Sequence, residues 1–221
     1  MFLGFTGSII LIIACIIAVA VFIGLVVLLI FLLRGNESNG GRESEDGRGW
    51  GIETPERRAG RLGERFATEV IGEILNEKDV LFTNVEIESD GKKTELDNLI
   101  VNNRGVFIIE VKNYSGSLFG TEEDYNWVQT KMTSSGNFYQ NNVKNPIKQV
   151  NRQIYILSNF LRQYGADVWI EGYVILLENN SPVEHSCILK TQEDIDRVIH
   201  NGRNQNLTQA MKEKVVSLLK D

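Results

Sequence analysis

The sequence predicts an α/β domain with a small mixed sheet between helices, preceded by an apolar N-terminal segment. Three observations carry this. Residues 61–77 and 145–164 place apolar side chains at helical spacing. Short apolar runs at 99–101, 106–111 and 170–177 read as buried strands. Residues 1–33 carry no charged side chain, whereas the remainder has an ordinary globular composition. With 43% apolar and 24% charged residues, a chain of 221 residues holds one domain with a real core plus an appendage.

Residues 9–33 form an uninterrupted apolar run of about 25 residues, roughly 37 Å as a helix, enough to cross a bilayer core of about 30 Å. A cleaved signal peptide fits poorly: no Lys or Arg precedes the run, the run is too long, and Arg34-Gly35-Asn36-Glu37 offers no small-x-small cleavage site. Residues 1–34 are therefore expected to be a single-pass transmembrane anchor that meets the lipid bilayer through residues 9–33. Arg34, Arg42 and Arg48 follow the span and nothing basic precedes it, which by the positive-inside rule puts the C-terminal bulk in the cytoplasm. Cys15 falls in the span and Cys187 stands alone in the rest, so no disulfide within the domain is expected. Residues 35–59, rich in Gly, Ser, Asn, Glu and Arg, read as a flexible linker. The folded domain is expected over 60–221.

Leu62, Phe66, Val70, Ile71, Ile74 and Leu75 form the apolar stripe of the first helix. Glu64, near its start, reads by itself as a solvent-facing residue favoured by the helix dipole. Residues 80–87 form a strand, followed by a Ser89-Asp90-Gly91 turn. The stretch TELDNLIVNNRGVFIIEVK, residues 94–112, reads as two strands around Asn102-Asn103-Arg104-Gly105, where Asn and Gly supply the positive backbone angles of a tight turn. Strand alternation puts Glu95, Asp97 and Leu99 on one face of the first, and Ile108, Glu110 and Lys112 on one face of the second. Asp97, Glu110 and Lys112 can therefore converge. Strands this apolar expect burial on both faces, where two carboxylates and an ammonium need a partner, and a divalent metal is the natural one. The arrangement suits phosphodiester hydrolysis: hard carboxylate oxygens hold Mg²⁺, which neutralises phosphate, and the lysine orients or deprotonates the attacking water.

Residues 116–120 are expected to continue the sheet. Residues 121–142 are polar with Tyr125, Trp127, Phe138 and Tyr139 interspersed, and carry no firm assignment. Trp127 and Lys131 are candidates for base stacking and phosphate contact, with packing of Trp127 against the sheet the commoner role. Asn145 caps the second helix and Pro146 starts it, with Ile147, Val150, Ile154, Leu157 and Leu161 as its buried stripe. Lys144, Lys148 and Arg152 give this helix start a basic side that suits a phosphate backbone, or is simply solvated. Residues 170–177 and 186–190 read as strands, and 192–199 and 207–219 as closing helices.

Gly63-Glu64, Thr94-Glu95-Leu96-Asp97 and Glu110-Val111-Lys112-Asn113 thus stand in order on a helix and two strands. In this the chain resembles the PD-(D/E)xK nuclease superfamily and, within it, the NERD (nuclease-related domain) family, over about residues 60–161. The family's Asn-Pro followed shortly by Gln is matched by Asn145-Pro146 and Gln149. The resemblance implies a restriction-endonuclease-like core of helix, three strands, helix and strand. It implies Asp97 and Glu110 as metal ligands, Glu64 as a third carboxylate, Lys112 positioning or activating water, and Gln149 assisting. The implied activity is that of a Mg²⁺-dependent nuclease, Mn²⁺ serving as a substitute, acting on DNA at the cytoplasmic side of a membrane, with RNA also open. The alternative is a catalytically weak or inactive membrane-anchored module that serves in nucleic-acid binding or in interaction with other molecules.

A net charge of -6 argues against strong non-specific affinity for nucleic acid. It does not oppose a nuclease, because a bound metal inverts the local field. His185 and His200 lack partners for a His/Cys metal site and read as surface residues. No phosphate-loop lysine motif or Gly-x-Ser-x-Gly elbow is present, so ATP hydrolysis and serine hydrolase chemistry have no support.

Overall fold

The computed structural model describes residues 54–132, 136–177, 183–201 and 206–220; the expected anchor and residues 35–53 of the expected linker lie outside them. Among the described residues no helix is long and apolar enough to cross a membrane.

Helix α1 (Pro55–Ile74) starts inside the stretch expected to be linker. Pro55 occupies its first position, and the Thr54 hydroxyl accepts the Arg57 N–H at 3.3 Å. Its buried side differs from the stripe that the apolar residues suggest. Leu62 and Phe66 are 49% and 58% exposed, while Gly63, Ala67 and Ile71, four residues apart, face inward. The reason is steric. A Cβ on Gly63 would lie 2.7 Å from Leu177 Cδ1 and 2.8 Å from Asn113 Cβ, so the helix runs too close to the sheet for a large residue there.

The main sheet has five strands, in the order β1 (Val80–Ser89), β2 (Lys92–Val101), β3 (Val106–Lys112), β7 (Ile170–Leu176) and β8 (Ile188–Leu189). Strands β1 (Val80–Ser89), β2 (Lys92–Val101) and β3 (Val106–Lys112) are successively antiparallel. The first turn is the two-residue type expected of Asp-Gly, with φ of 50° at Asp90 and 69° at Gly91. The second turn works differently from expectation: none of residues 102–105 has a positive φ. Instead the Asn102 side-chain oxygen accepts the N–H groups of Arg104 (2.9 Å) and Gly105 (3.2 Å), closing the turn from within.

After β3 the chain leaves the main sheet. Ser117–Phe119, expected to extend it, is strand β4 of a separate three-stranded sheet with β5 (Asn126–Met132) and β6 (Phe138–Lys144). Helix α2 (Pro146–Gln163) then leads to β7 (Ile170–Leu176), parallel to β3, and β8 (Ile188–Leu189), parallel to β7. Helices α3 (Gln192–His200) and α4 (Gln209–Leu218) follow. The result is the small mixed sheet flanked by helices that the sequence predicts.

Alternation along β3 divides the core. Ile108 joins Leu99, Val150, Leu157, Val174 and Val215 on the side covered by α2 and α4. Phe107 and Ile109 join Ile71, Ile100, Ile195 and Ile199 on the side covered by α1 and α3. Each such side chain, fully buried, contributes about 1.5–3 kcal/mol. Helix α2 sits directly on β7, because a Cβ on Gly172 would lie 2.6 Å from Val150 Cγ2 and 2.7 Å from Ile154 Cδ1.

His200, expected at the surface, instead joins α3 to the entry of β1. Its Nε2 lies 2.8 Å from Asp79 Oδ2 and its Nδ1 lies 2.7 Å from Asp196 Oδ1. Burial opposes the imidazolium, but the two carboxylates outweigh it and hold the pKa above the ordinary 6.5. A raised folded-state pKa contributes stability that is complete below about 6.5 and is lost as pH rises through the folded value. Urea unfolding of wild type and His200→Gln should therefore differ most in mildly acidic buffer, with the gap narrowing as the buffer becomes alkaline.

Candidate active site

The convergence that the sequence predicts lies at the carboxyl end of β3, the central strand. Glu110 is fully buried on the α2 side. Its Oε1 accepts from Lys112 Nζ and from Gln149 Nε2, both at 2.5 Å, and its Oε2 accepts from Gln153 Nε2 at 2.5 Å. Gln149 and Gln153 are one helical turn apart and present one face of α2 to the carboxylate. The sequence reading missed Gln153, although its spacing from Gln149 was a usable signal. Its Nε2 also donates to the Glu95 carbonyl at 3.0 Å, and its Oε1 is buried without a partner among the described residues.

Asn145 fixes the start of α2. Its side-chain oxygen accepts from the N–H groups of Ile147 (2.9 Å) and Lys148 (3.4 Å). Its amide nitrogen donates to the carbonyls of Thr121 (3.0 Å), Glu122 (3.3 Å) and Asp124 (2.7 Å). The cap thereby ties α2 to the loop before β5.

Asp97 occupies a break between ladders. Pairing of β2 with β3 ends at Asn98↔Ile109, and the Asp97 carboxylate accepts the Val111 N–H at 2.8 Å in place of a backbone partner. On the other side Asn84, between the pairs Thr83↔Asn98 and Val85↔Leu96, has φ of 53°, a left-handed value uncommon outside glycine. Burial, then the nearby Glu110, push the Asp97 pKa up to about 7 against the opposing effects of the Val111 N–H and Lys112. Glu64 is likewise raised, by burial first and then by Glu110 and Glu95, with Lys112 opposing. For Lys112, burial favours the neutral amine, but the Glu110 charge and hydrogen bond outweigh it and raise its pKa. In this arrangement Lys112 is a cationic donor, suited to orienting water or a phosphate oxygen.

Carboxylates that disfavour one another's charge make a site that a cation would relieve. Among the described residues no three His, Cys, Asp or Glu side chains form a ready-made metal cage. Mg²⁺ does not require one, since it commonly takes one or two carboxylates and keeps several waters. Asp97 and Glu110 are hard oxygen donors of that kind, so the residues fit the ion. Glu64 reaches the site because Gly63 lets α1 approach Asn113.

Two cavities flank this centre. One of about 610 Å³ is lined by Gly60, Glu64, Lys112, Tyr114, Gln129, Lys131 and Asn141. The other, about 420 Å³, is lined by Thr94, Tyr125, Lys144, Lys148, Gln149 and Arg152. Lys131, Lys144 and Lys148 thus all border cavities beside the expected catalytic residues. Trp127 does not: it is fully buried, and its indole N–H donates to the Thr121 carbonyl at 2.8 Å. It packs in the core and offers no ring face for stacking, which corrects its reading as a nucleic-acid contact.

The nuclease-related domain family matches the chain over residues 59–177. A Bacillus anthracis protein named only as uncharacterized is 28% identical over 105 residues, 47% of this chain and 47% of its own length. The chain therefore aligns with about half of that relative. No solved structure matches the chain. The family match suggests a nuclease-like function in general.

Replacing Gln153 by Leu leaves a buried carboxylate oxygen without its donor. Gln153→Leu is expected to lower stability by about 1–3 kcal/mol, measured by urea unfolding.

Proposed function

This chain belongs to the nuclease-related domain family, and we propose that it is a membrane-tethered, Mg²⁺-dependent nuclease that hydrolyses phosphodiester bonds of DNA on the cytoplasmic side. The observation that carries this reading is the meeting of Asp97, Glu110 and Lys112 at the end of β3, with Glu110 held by Lys112 and Gln149. It is the arrangement that the likeness to the PD-(D/E)xK superfamily implies. The tether rests on the apolar run at 9–33, and the cytoplasmic side on the arginines that follow it.

Asp97 and Glu110 would hold the metal, with Glu64 adding negative charge beside them. Bound there, Mg²⁺, or Mn²⁺ in its place, supplies charge neutralisation at the phosphate and acidifies a water. Lys112, kept cationic by Glu110, donates to a phosphate oxygen or holds the attacking water in line. Water oxygen adds to phosphorus as one ester P–O bond breaks, the proton lost by that water passes to solvent, the leaving oxygen takes a proton from solvent to depart as the alcohol, and the extra negative charge of the transition state meets the Lys112 ammonium. Gln149 fixes the Glu110 carboxylate from α2, through the same oxygen that Lys112 meets. Lys144, Lys148 and Arg152 seat the neighbouring phosphates, which gives local attraction in a protein of net negative charge.

The full chain, solubilised in nonionic detergent, is expected to cut DNA in Mg²⁺ or Mn²⁺ and to be silent in EDTA. Asp97→Asn, which keeps an acceptor for Val111, and Lys112→Met should each lower the rate about 100-fold or more while melting as folded proteins. Linear DNA, circular DNA and RNA assayed side by side identify the substrate and the mode of attack. A folded wild type that binds DNA but never cuts it would instead support the anchored binding module.

A further inference from the structure

The two cavities beside the site differ in chemistry, and a residue from each donates to the same buried oxygen. Glu110 Oε1 accepts from Lys112, which lines the larger cavity, and from Gln149, which lines the smaller.

The smaller cavity is cationic. Lys144 forms no ion pair among the described residues, Lys148 has the charge of the exposed Glu123 near it, and the Arg152 guanidinium donates to the Lys93 backbone carbonyl at 3.2 Å. Such a cavity suits phosphates. The larger cavity is walled on one side by α1 and on the other by the β5–β6 hairpin. The pairs Trp127↔Val143, Gln129↔Asn141 and Lys131↔Tyr139 alternate along this hairpin, so all six residues share one face. The Trp127 end of that face is buried in the core. Further along, Gln129, Lys131 and Asn141 line the cavity, and Tyr139, directly opposite Lys131, is 53% exposed. This wall therefore carries one cation, two amides and an aromatic ring.

A duplex held through its phosphates needs cations along both strands, and this wall does not provide them. Amides that meet base edges, an aromatic face and one lysine are what an unpaired nucleotide uses. We propose that the site takes single-stranded nucleic acid, with backbone phosphates in the Lys144/Lys148/Arg152 cavity and an unpaired base against Tyr139 on the hairpin wall. The proposal rests on the site being one that handles nucleic acid, and it deepens the nuclease reading by naming the strand state of the substrate. Tyr139 is a specificity residue in this account and takes no part in the chemistry.

The test uses the full chain in nonionic detergent with a fluorescein-labelled DNA single strand and its blunt duplex. Binding is read by anisotropy in Ca²⁺, which fills oxygen sites with loose geometry, and cutting is read separately in Mg²⁺. The single strand is expected to bind at least about tenfold tighter than the duplex. Tyr139→Ala should weaken single-strand binding roughly 5- to 100-fold, the value of one base-aromatic stack. Tyr139→Phe should retain it, and duplex binding should be indifferent to both. In cleavage, Tyr139→Ala should raise KM for the single strand and leave kcat unchanged. Duplex bound as tightly as single strand, neither bound, or Tyr139→Ala matching wild type would each overturn the proposal. Tyr139-dependent single-strand binding without any cutting keeps the proposal and removes the nuclease reading. Cutting of duplex that ignores Tyr139 does the reverse.

Discussion

A carboxylate with no exposed surface is tolerated only if its charge is answered by donors held in place, because removing it from water costs several kcal/mol. Glu110 is answered three times, and the rest of the domain follows from where those donors come from. Lys112 is two residues along the same strand, so strand geometry supplies it. Gln149 and Gln153 arrive from α2, which must therefore lie close to β3 at a fixed rotation. Gly172 beneath Val150 and Ile154 sets the closeness, and the Asn145 cap sets where the helix begins.

Around this satisfied residue the protein leaves others unsatisfied. Asp97 sits where two ladders lapse, facing Glu110 across the gap, and Asn84 beside it adopts a backbone angle that costs energy. A domain selected for stability alone would close these ladders and move the carboxylates apart. The cost is tolerable because two apolar layers, built around Phe107 and Ile108 on opposite faces of one strand, supply stability elsewhere.

The sequence made the centre of the site legible and its surroundings less so. Asp97, Glu110 and Lys112 could be placed together because strand alternation is a strict local rule, and their chemistry is conspicuous in so apolar a stretch. The two helices of 18–20 residues were legible from apolar spacing. Which face α1 buries was not, because the small residues Gly63 and Ala67 decide it through a close approach that hydrophobicity does not register. Residues 121–142 defied assignment because β5 and β6 alternate polar with polar: their inner face lines a cavity beyond Trp127, so it need not be apolar. Gln153 was passed over because a glutamine on a helix is usually solvated, and only the position of Glu110 reveals why this one is buried. The pairing of His200 with Asp79 joins residues far apart in sequence, which no local pattern signals.

Asn145 belongs at once to the helix that positions Gln149 and to the loop that precedes β5. Three of its contacts go to that loop and two to the first turn of α2. The start of α2 and the loop that leads into β5 thus depend on one side chain, so a substitution there would loosen the Gln149 end of the helix and the entry to the hairpin together, although the two lie 21 to 24 residues apart in sequence.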